Sequence, residues 1–336
     1  MNVAVTACGG GVGQSIIKAL SRTKYTTVGI DPDYRAAGLY MARIGVLGGR
    51  YTDSNFIDRL LSICLENNCR FLFPGLDAEL EIISKNEKLF IENKIIPIIS
   101  SQEVVRLSND KWELFNFLKK NDLPHIKTFK TIEDALASGL SFPWVVKPQK
   151  DGCRSKNVSV VHSEEEFGLI KLSENLGENY IIQEYIDGDE YTCGSVSFDG
   201  RVIGTITMER ALRDGDTYKA YVKRSGVIEE FLIRLLKRVK PFGPCNIQIR
   251  MKDNIPYVLE INSRCSGTTA ARAVAGFNEP EITCNYLAGQ KINYSIEEVS
   301  VFRYWNECVI KKEKTEELRD EGIIHGGFRI PGQRIF

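Results

Sequence analysis

Three oxygen-bearing side chains in the segment 246–262 (NIQIRMKDNIPYVLEIN) could bind a divalent metal ion. Glu260 and Asn262 are two positions apart in an apolar run, which places both on one face of a predicted strand. Gln248 lies in the preceding apolar run, and the short turn between the two runs predicts a hairpin. Carboxylate and amide oxygens suit Mg²⁺, which bridges nucleotide phosphates in phosphoryl transfer. The alternative interpretation is an exposed strand edge that carries polar side chains.

Cations near these oxygens could neutralise phosphate. Lys147 closes the apolar run WVVKP, so its ammonium group is either solvated at a strand end or directed into a cleft. Arg264 lies just beyond the metal-binding run and could contact a transferred phosphate. We interpret residues 208–225 as a loop that reaches into the phosphate cleft, with Arg210 and Lys223 as γ-phosphate contacts. The alternative is that both side chains are solvated.

The segment 151–158 (DGCRSKNV) combines small residues with cations. Its backbone amides and side chains could form a mobile flap over phosphates, with Gly152, Arg154 and Ser155 as the contacts. An ordinary surface turn is the alternative interpretation of this segment.

The segment 181–191 (IIQEYIDGDEY) could bind a nucleoside. An apolar strand ends at Glu184, and the backbone groups of Glu184, Tyr185 and Ile186 could contact an adenine edge. Glu190 could then accept both ribose hydroxyls, as acidic residues do in other nucleotide sites. The alternative is a polar hairpin between two sheets.

Two segments could complete the cleft. The glycines and hydroxyls of residues 266–269 could bind an acceptor at a helix N-terminus, where backbone amides favour anions. Asp77 follows a strand end and could face the same cleft. For Asp77 we favour a helix N-cap, with Glu81 in the first turns of that helix.

The elements that must position these residues change in kind near residue 105. Over roughly the first hundred residues, apolar runs alternate with amphipathic helices, which is typical of a parallel, doubly wound sheet. Beyond residue 105, shorter apolar runs and turns such as Asp199-Gly200 predict a mostly antiparallel α+β region.

Composition excludes several classes of partner. The 336-residue chain carries 44 Lys plus Arg and 44 Asp plus Glu, so no net charge draws it toward nucleic acid or an anionic membrane. Its nine cysteines form no CxxC pair, and its three histidines lack the spacing of a zinc site. No apolar run reaches about 18 residues, and the first residues lack the features of a signal peptide. We therefore expect a reduced, cytoplasmic protein.

The glycine-rich turn from Gly9 to Gly13, with Asp31 at the end of the second strand, raises a rival function. Such a turn is found in NAD(P)-binding oxidoreductases. A G-x-G-x-x-G motif that starts at Gly9 would need glycine at the position of Gln14, and no Tyr-x-x-x-Lys pair occurs. We favour a loop that faces the substrate.

In order and spacing, these segments resemble the ATP-grasp superfamily, most closely the ATP-binding halves of the carbamoyl phosphate synthetase large subunit. The matching segments, between residues 3 and 290, are SNDKWELFNFL, WVVKP, the 151–158 loop, QEYIDGDEY and NIQIRMKDNIPYVLEINSRCSGT. The resemblance implies an α/β and α+β chain, with an N-terminal Rossmann-like (pre-ATP-grasp) parallel sheet followed by a two-lobed ATP-grasp fold. The implied units are a first domain (1–105), a small lobe with the flap (106–182), a large lobe with the metal site (183–300) and a C-terminal extension (301–336).

The resemblance also implies a role for each candidate residue. The ATP-binding residues would be Lys111, Lys147, Gly152, Arg154, Ser155, Glu184, Tyr185, Ile186 and Glu190. The ligands of Mg²⁺ or Mn²⁺ would be Gln248, Glu260 and Asn262. The catalytic cations would be Arg210, Lys223 and Arg264.

The activity that the resemblance implies is that of a carboxylate-amine ligase. ATP would phosphorylate a carboxylate, and an amine would attack the acyl phosphate to form an amide, with release of ADP and phosphate. Positioning and charge neutralisation would suffice, without a covalent nucleophile. The expected partners are a small-molecule carboxylate and amine and, as in many such ligases, a second copy of the chain. A non-catalytic ATP-binding subunit of a larger synthetase is the remaining alternative.

Overall fold

The computed structural model describes residues 1–150, 157–173, 179–304 and 306–326. The first elements in chain order are β1 (Asn2–Val5), α1 (Gly11–Leu20), β2 (Thr26–Asp31), α2 (Ala37–Met41), β3 (Ile44–Leu47), α3 (Phe56–Glu66), β4 (Cys69–Phe73), α4 (Asp77–Lys85), α5 (Glu87–Glu92) and β5 (Ile96–Pro97). The next are α6 (Gln102–Asn109), α7 (Lys111–Lys120), β6 (Thr128–Phe129), α8 (Ile132–Ala137), β7 (Trp144–Pro148), β8 (Ser159–Val161), α9 (Glu164–Ser173) and β9 (Tyr180–Glu184). The last are β10 (Asp189–Phe198), β11 (Arg201–Arg213), β12 (Asp216–Val222), α10 (Gly226–Val239), β13 (Gly243–Lys252), β14 (Ile255–Asn262), α11 (Thr269–Val274), α12 (Glu279–Leu287), β15 (Ser300–Phe302), α13 (Lys312–Glu321) and β16 (Ile323–His325).

The N-terminal sheet has the strand order β16-β3-β2-β1-β4-β5. Strands β1 to β5 are parallel, as the alternation of strands and helices predicts, and β16 joins the edge antiparallel to β3. The strand order reverses between β1 and β4, and in such sheets this switch point opens a crevice at the carboxyl ends of the strands. β16 lies in the predicted C-terminal extension, so part of that extension completes the first sheet.

Two further units follow the N-terminal sheet. The small sheet has the order β6-β9-β7-β8, and Trp144 lies fully buried in its core. The large sheet has the order β14-β13-β10-β11-β12-β15 and is antiparallel. Residue 182, the predicted boundary between the two lobes, lies inside β9 of the small sheet.

The two faces of the large sheet have different neighbours. One face carries Cys193 and Ile247, which share a buried cluster with Phe231 of α10. The other face carries Met208, which packs in a cluster with Ile282 of α12. Because side chains alternate between faces along a strand, each strand can bury one set of residues and present the other.

The prediction that residues 208–225 form a loop is wrong. β11 continues to Arg213, and β12 returns beside it from Asp216 to Val222. Asp214 and Gly215 form the turn with φ values of 53° and 77°. Positive φ at both central residues is the geometry of a tight hairpin turn that favours Asp-Gly.

Within the described ranges, no helix has the length and apolar character needed to cross a membrane.

Candidate active site

Gln248, Glu260 and Asn262 lie together on two neighbouring strands. Gln248 of β13 is directly opposite Glu260 of β14, and Asn246 is opposite Asn262. Opposite residues of antiparallel strands project from the same face, and a step of two residues keeps to that face. The predicted hairpin is present, and the three predicted metal ligands project from one face of the large sheet.

The chemistry of these three side chains fits a divalent cation. Gln248 Oε1 accepts a hydrogen bond from Arg210 Nη2 at 2.9 Å, which leaves one lone pair of that oxygen for a further partner. Asn262 Oδ1 lies 3.4 Å from Arg264 Nη2. Glu260 is half-buried, and among the described residues its carboxylate has no hydrogen-bond or ion-pair partner. Within the described part of the chain, no three or more His, Cys, Asp or Glu side chains are grouped so that they could hold a metal ion, so a metal site here would depend on the two amides.

The ammonium group of Lys147 connects the small sheet to these oxygens. Lys147 lies near the end of β7 and is only 8% exposed. Burial, followed by the positive charge of Lys111, lowers the pKa of Lys147 to about 8, against the opposing effect of the Glu260 and Glu190 carboxylates. Charges on β10 and β14 of the large sheet therefore act on a buried cation of the small sheet. The Lys147 ammonium group therefore lies close to the Glu190 and Glu260 carboxylates of the large sheet.

Lys111 is held near Lys147 by the N-terminus of α7. Asp110 caps this helix by accepting the backbone N–H groups of Trp112 and Glu113. Its carboxylate also accepts the Gln149 side-chain amide at 2.9 and 2.8 Å, and the Lys111 N–H donates to the Gln149 carbonyl at 3.0 Å. The start of α7 is therefore fixed to the end of β7, and the positive charge of Lys111 lies close enough to Lys147 to lower its pKa.

Glu190 is bound by two arginines. Its Oε1 accepts from Arg210 Nε at 3.0 Å and also from Arg210 Nη2. Its Oε2 accepts from Arg250 Nη2 at 3.3 Å. The Arg250 guanidinium also lies 5.7 Å from the ring centroid of Tyr185 and donates to the Ile186 carbonyl at 2.9 Å. The segment predicted to contact adenine and ribose is thus fixed by arginine contacts.

Glu184 lies at the end of β9, opposite Trp144. Its backbone N–H donates to the Lys127 carbonyl at 3.0 Å. The Ile186 carbonyl is occupied by Arg250. An adenine contact through the Glu184 side chain or carbonyl, or through the Ile186 N–H, stays a prediction.

Asp77 pairs with Arg264 rather than capping its helix. Arg264 Nε donates to Asp77 Oδ1 at 2.7 Å, and Arg264 Nη2 donates to Asp77 Oδ2. The N-cap position of α4 is Leu76, and Asp77 is the first helical residue. The N-cap interpretation is therefore wrong, and the alternative, in which Asp77 faces the cleft, stays a prediction.

Two predicted cations are not available to phosphate in this arrangement. Lys223 is half-exposed and pairs with Glu209, which is opposite Tyr191 in the ladder. Tyr191 packs with the α10 cluster, so Lys223 lies on the face away from Gln248 and Glu260. The side chain of Arg210 is 9% exposed and is engaged by Glu190. The predicted flap contacts Gly152, Arg154 and Ser155 lie outside the described residues.

The polar loop 266–269 is closed on itself. Thr269 Oγ1 accepts the Ser266 N–H at 3.0 Å, and the hydroxyl oxygens of Ser266 and Thr268 are 2.8 Å apart. All three side chains are buried. These hydroxyl groups therefore take part in contacts within the loop, which argues against the prediction that they bind the acceptor.

A buried carboxyl group at the switch point was missed by the sequence analysis. Glu79 accepts the Thr6 hydroxyl, and Thr6 Oγ1 in turn accepts the Gly75 N–H at 3.1 Å. Burial raises the pKa of Glu79 to about 7, although its hydrogen bonds oppose that shift. Glu79 lies between two other acids, Asp77 and Glu81, and nothing in the sequence indicates that it is the one that points inward.

Comparison with known proteins identifies the class that this fold defines. Residues 177–307 match the family described as ATP-grasp in the biosynthetic pathway with Ter operon, and residues 3–99 match the PylC-like N-terminal domain. The carbamoyl phosphate synthase large chain of Thermoanaerobacter sp. is 29% identical over 220 residues, which cover 60% of this chain and 20% of that one. The D-alanine–D-alanine ligase of Bacillus anthracis is 33% identical over 149 residues, covering 39% of this chain and 47% of that one.

Solved structures agree with this class. The N5-carboxyaminoimidazole synthetase from Staphylococcus aureus, crystallised with ADP, superposes with a TM-score of 0.69 and 17% identity, covering 88% of this chain and 79% of that one. At that identity the likeness shows the fold. The chain therefore has the ATP-grasp fold, and its residues 177–307 match an ATP-grasp family.

Within that class, the predicted resemblance to carbamoyl phosphate synthase large chains is confirmed. This chain spans about a fifth of the length of that relative and about half of the D-alanine–D-alanine ligase.

Proposed function

We propose that this chain binds Mg-ATP between its small and large sheets and uses it to phosphorylate a carboxylate. An amine then attacks the acyl phosphate, which gives an amide, ADP and phosphate. The observation that carries the proposal is the buried ammonium group of Lys147, on which the carboxylates of Glu190 and Glu260 act from the facing sheet. A cation at that position is suited to polyphosphate, because the cleft brings it beside residues that can hold a metal ion. Two of the similar proteins are named as a ligase and a synthetase, which supports the same chemistry.

The residues of the chain divide the work of phosphoryl transfer. Lys147 and Lys111 neutralise phosphate charge from the side of the small sheet. Gln248, Glu260 and Asn262 would hold Mg²⁺, which when bound neutralises phosphate oxygens during transfer. Catalysis of this kind depends on fixed charges in a site that excludes water.

Arg264 stands where the transferred phosphate would pass. It lies two residues beyond Asn262, and its Nη2 is 3.4 Å from the Asn262 amide oxygen. Its Nε and Nη2 donate hydrogen bonds to the Asp77 carboxylate, and its Nη1 donates to the Cys265 carbonyl at 2.8 Å. These contacts fix the plane of the guanidinium. A fixed guanidinium can stabilise charge on the phosphoryl group as it leaves ADP.

The rival oxidoreductase function has a specific structural objection. Asp31 Oδ2 accepts the Gly9 N–H at 2.8 Å, and Oδ1 accepts the Asp33 N–H at 3.0 Å. Both carboxylate oxygens already close the turns around them. The acid that would bind the ribose of a dinucleotide is thus a structural part of the glycine-rich turn.

The test is release of ADP from ATP and Mg²⁺ in the presence of mixtures of carboxylates and amines, followed by a coupled assay. We expect ADP release that requires both a carboxylate and an amine. Glu260→Gln should abolish it, whereas Glu230→Gln, on the exposed side of α10, should retain it. Full activity of Glu260→Gln would remove the metal assignment. ATP binding without ADP release in any mixture would favour a non-catalytic subunit.

Dimerisation also remains a prediction of the resemblance. Light scattering on the purified chain would show a mass of about twice 37.9 kDa for a dimer. A mass equal to one chain would contradict it.

A further inference from the structure

Arg210 lies between the carboxylate proposed to bind ribose and an amide proposed to bind the metal ion. Its Nε and Nη2 donate to Glu190 Oε1, and Nη2 also donates to Gln248 Oε1 at 2.9 Å. Its Nη1 lies 3.4 Å from Thr217 Oγ1. Four of the five N–H donors of the guanidinium therefore have partners. The side chain is 9% exposed, so little of this cation is presented to the γ-phosphate.

The same contacts limit what Glu190 can accept. Arg210 uses both lone pairs of Oε1, and Arg250 uses one lone pair of Oε2. While both arginines stay in place, one acceptor position of Glu190 is left for a ribose hydroxyl. The expectation that Glu190 accepts both hydroxyls therefore requires Arg210 or Arg250 to move.

We propose that Arg210 is a positioning residue that orients the Gln248 amide for the metal ion and joins it to the ribose-binding carboxylate. This inference rests on the proposed function, because it takes Glu190 and Gln248 as parts of the nucleotide site. It replaces the predicted γ-phosphate contact of Arg210.

The physical reason lies in the two ends of a carboxamide. The Gln248 side chain can present either its oxygen or its NH₂ group by rotation about its last torsion, and only the oxygen can bind a cation. Arg210 can only donate hydrogen bonds, so it holds the oxygen end in the cleft. Residues that orient metal ligands in this way affect metal affinity by about 10- to 100-fold.

The test compares ADP affinity with Mg²⁺ and with EDTA by calorimetry, using the purified full chain. The quantity of interest is the dissociation constant with EDTA divided by the dissociation constant with Mg²⁺. This ratio reports how much the metal ion adds to nucleotide binding. We expect Arg210→Met to lower this ratio by about tenfold or more. Arg213→Met is the matched control, because Arg213 lies on the same strand with its side chain 68% exposed, and it should leave the ratio unchanged.

A second variant separates orientation from packing. In a Gln248→Glu background both ends of the side chain are oxygens, so Arg210→Met should no longer lower the ratio. An equal loss of affinity with and without Mg²⁺ in the Arg210→Met single variant would show that Arg210 only packs, and would overturn the inference. The inference would also be overturned if Arg210→Met lowered the ratio in the Gln248→Glu background as much as it does in the otherwise unmodified chain.

Two outcomes distinguish this inference from the proposed function. If the unmodified chain binds ADP neither with nor without Mg²⁺, the proposed function fails. If it shows Mg²⁺-enhanced binding and Arg210→Met keeps the full enhancement, only the role of Arg210 fails. Should Arg210→Met unfold, Arg210→Lys provides the same test, because a lysine cannot reproduce the planar fork; an unchanged ratio in that variant would overturn the inference.

Discussion

Arg264 and Asp77 are 187 residues apart in the sequence, yet their side chains form a two-point ion pair. The pair joins the start of α4, beside the N-terminal sheet, to the chain just after β14 of the large sheet. Arg264 is 11% exposed in this position and Asp77 is 40% exposed. The orientation of a proposed phosphate-binding cation thus depends on a residue of the first domain.

Asp77→Ala should weaken binding of the γ-phosphate more than binding of ADP. Without its carboxylate partner, Arg264 loses the contact that fixes its plane. We expect the Mg²⁺ complex of the β,γ-imido analogue of ATP to bind about tenfold more weakly, whereas Mg-ADP should change less than about threefold. Calorimetry with both nucleotides checks this. Glu81→Ala on the exposed side of the same helix is the control, and equal affinities for Asp77→Ala and the unmodified chain would contradict the role of the pair.

Binding of ADP should weaken as the pH rises through about 8. The pKa of Lys147 is lowered to about 8 by burial and by Lys111, so its ammonium group is charged below that pH and neutral above it. Lys147→Arg should remove this part of the decline, because a guanidinium stays charged throughout. Dissociation constants measured between about pH 7 and 9 test the prediction. Lys120→Arg, at an exposed site in α7, should retain the full decline; the same decline in Lys147→Arg would assign the titration to another group.

Glu79 should make the stability of the protein depend on pH. Its folded-state pKa of about 7 is above the ordinary value of 4.5, so the folded chain binds more protons between these values. The contribution of Glu79 to the free energy of unfolding is therefore present at low pH and lost as the pH rises through about 7. Urea unfolding should show Glu79→Gln losing about 2 kcal/mol more, relative to the unmodified chain, at about pH 5.5 than at about pH 8. Glu81→Gln should show no such difference, and a pH-independent effect of Glu79→Gln would contradict the shifted pKa.

Arg272 and Glu279 form a fully buried ion pair, with Nη1 of the arginine 3.0 Å from Oε1 of the glutamate. Glu279→Ala should reduce the free energy of unfolding by about 3–5 kcal/mol, because it leaves the Arg272 charge buried without its carboxylate. Replacing both residues with methionine should recover part of that loss. Chemical denaturation measures both effects, with Glu281→Ala in the same helix as the control. A loss below about 1 kcal/mol for Glu279→Ala would show that the remaining contacts of Arg272 suffice.

Local sequence patterns were sufficient to predict the structure where two paired segments follow each other in the sequence. The spacing of Glu260 and Asn262 and the short turn after β13 predicted the hairpin that places Gln248 opposite Glu260. The Asp214-Gly215 hairpin carried an equally local signal, and it was missed because the surrounding charges suggested a loop.

Partners distant in the sequence could not be predicted. Nothing in a single strand indicates that Arg210 meets Glu190 across the ladder and not a phosphate, since both are anionic. Lys223 has a similar sequence context, yet one residue of register places it on the opposite face. The three-residue strand β16 likewise has too few positions for a periodic signal, and its pairing with β3 is decided by tertiary packing.

The central claim is that the cleft around Lys147 binds Mg-ATP. Thermal unfolding of the purified chain with Mg-ATP and, separately, with NADH tests it most directly, because a ligand that binds only the folded state raises the unfolding temperature. We predict an increase of several degrees with Mg-ATP that is lost in Lys147→Met, and no increase with NADH. An increase with NADH and none with Mg-ATP would contradict the account and assign the nucleotide site to the glycine-rich turn.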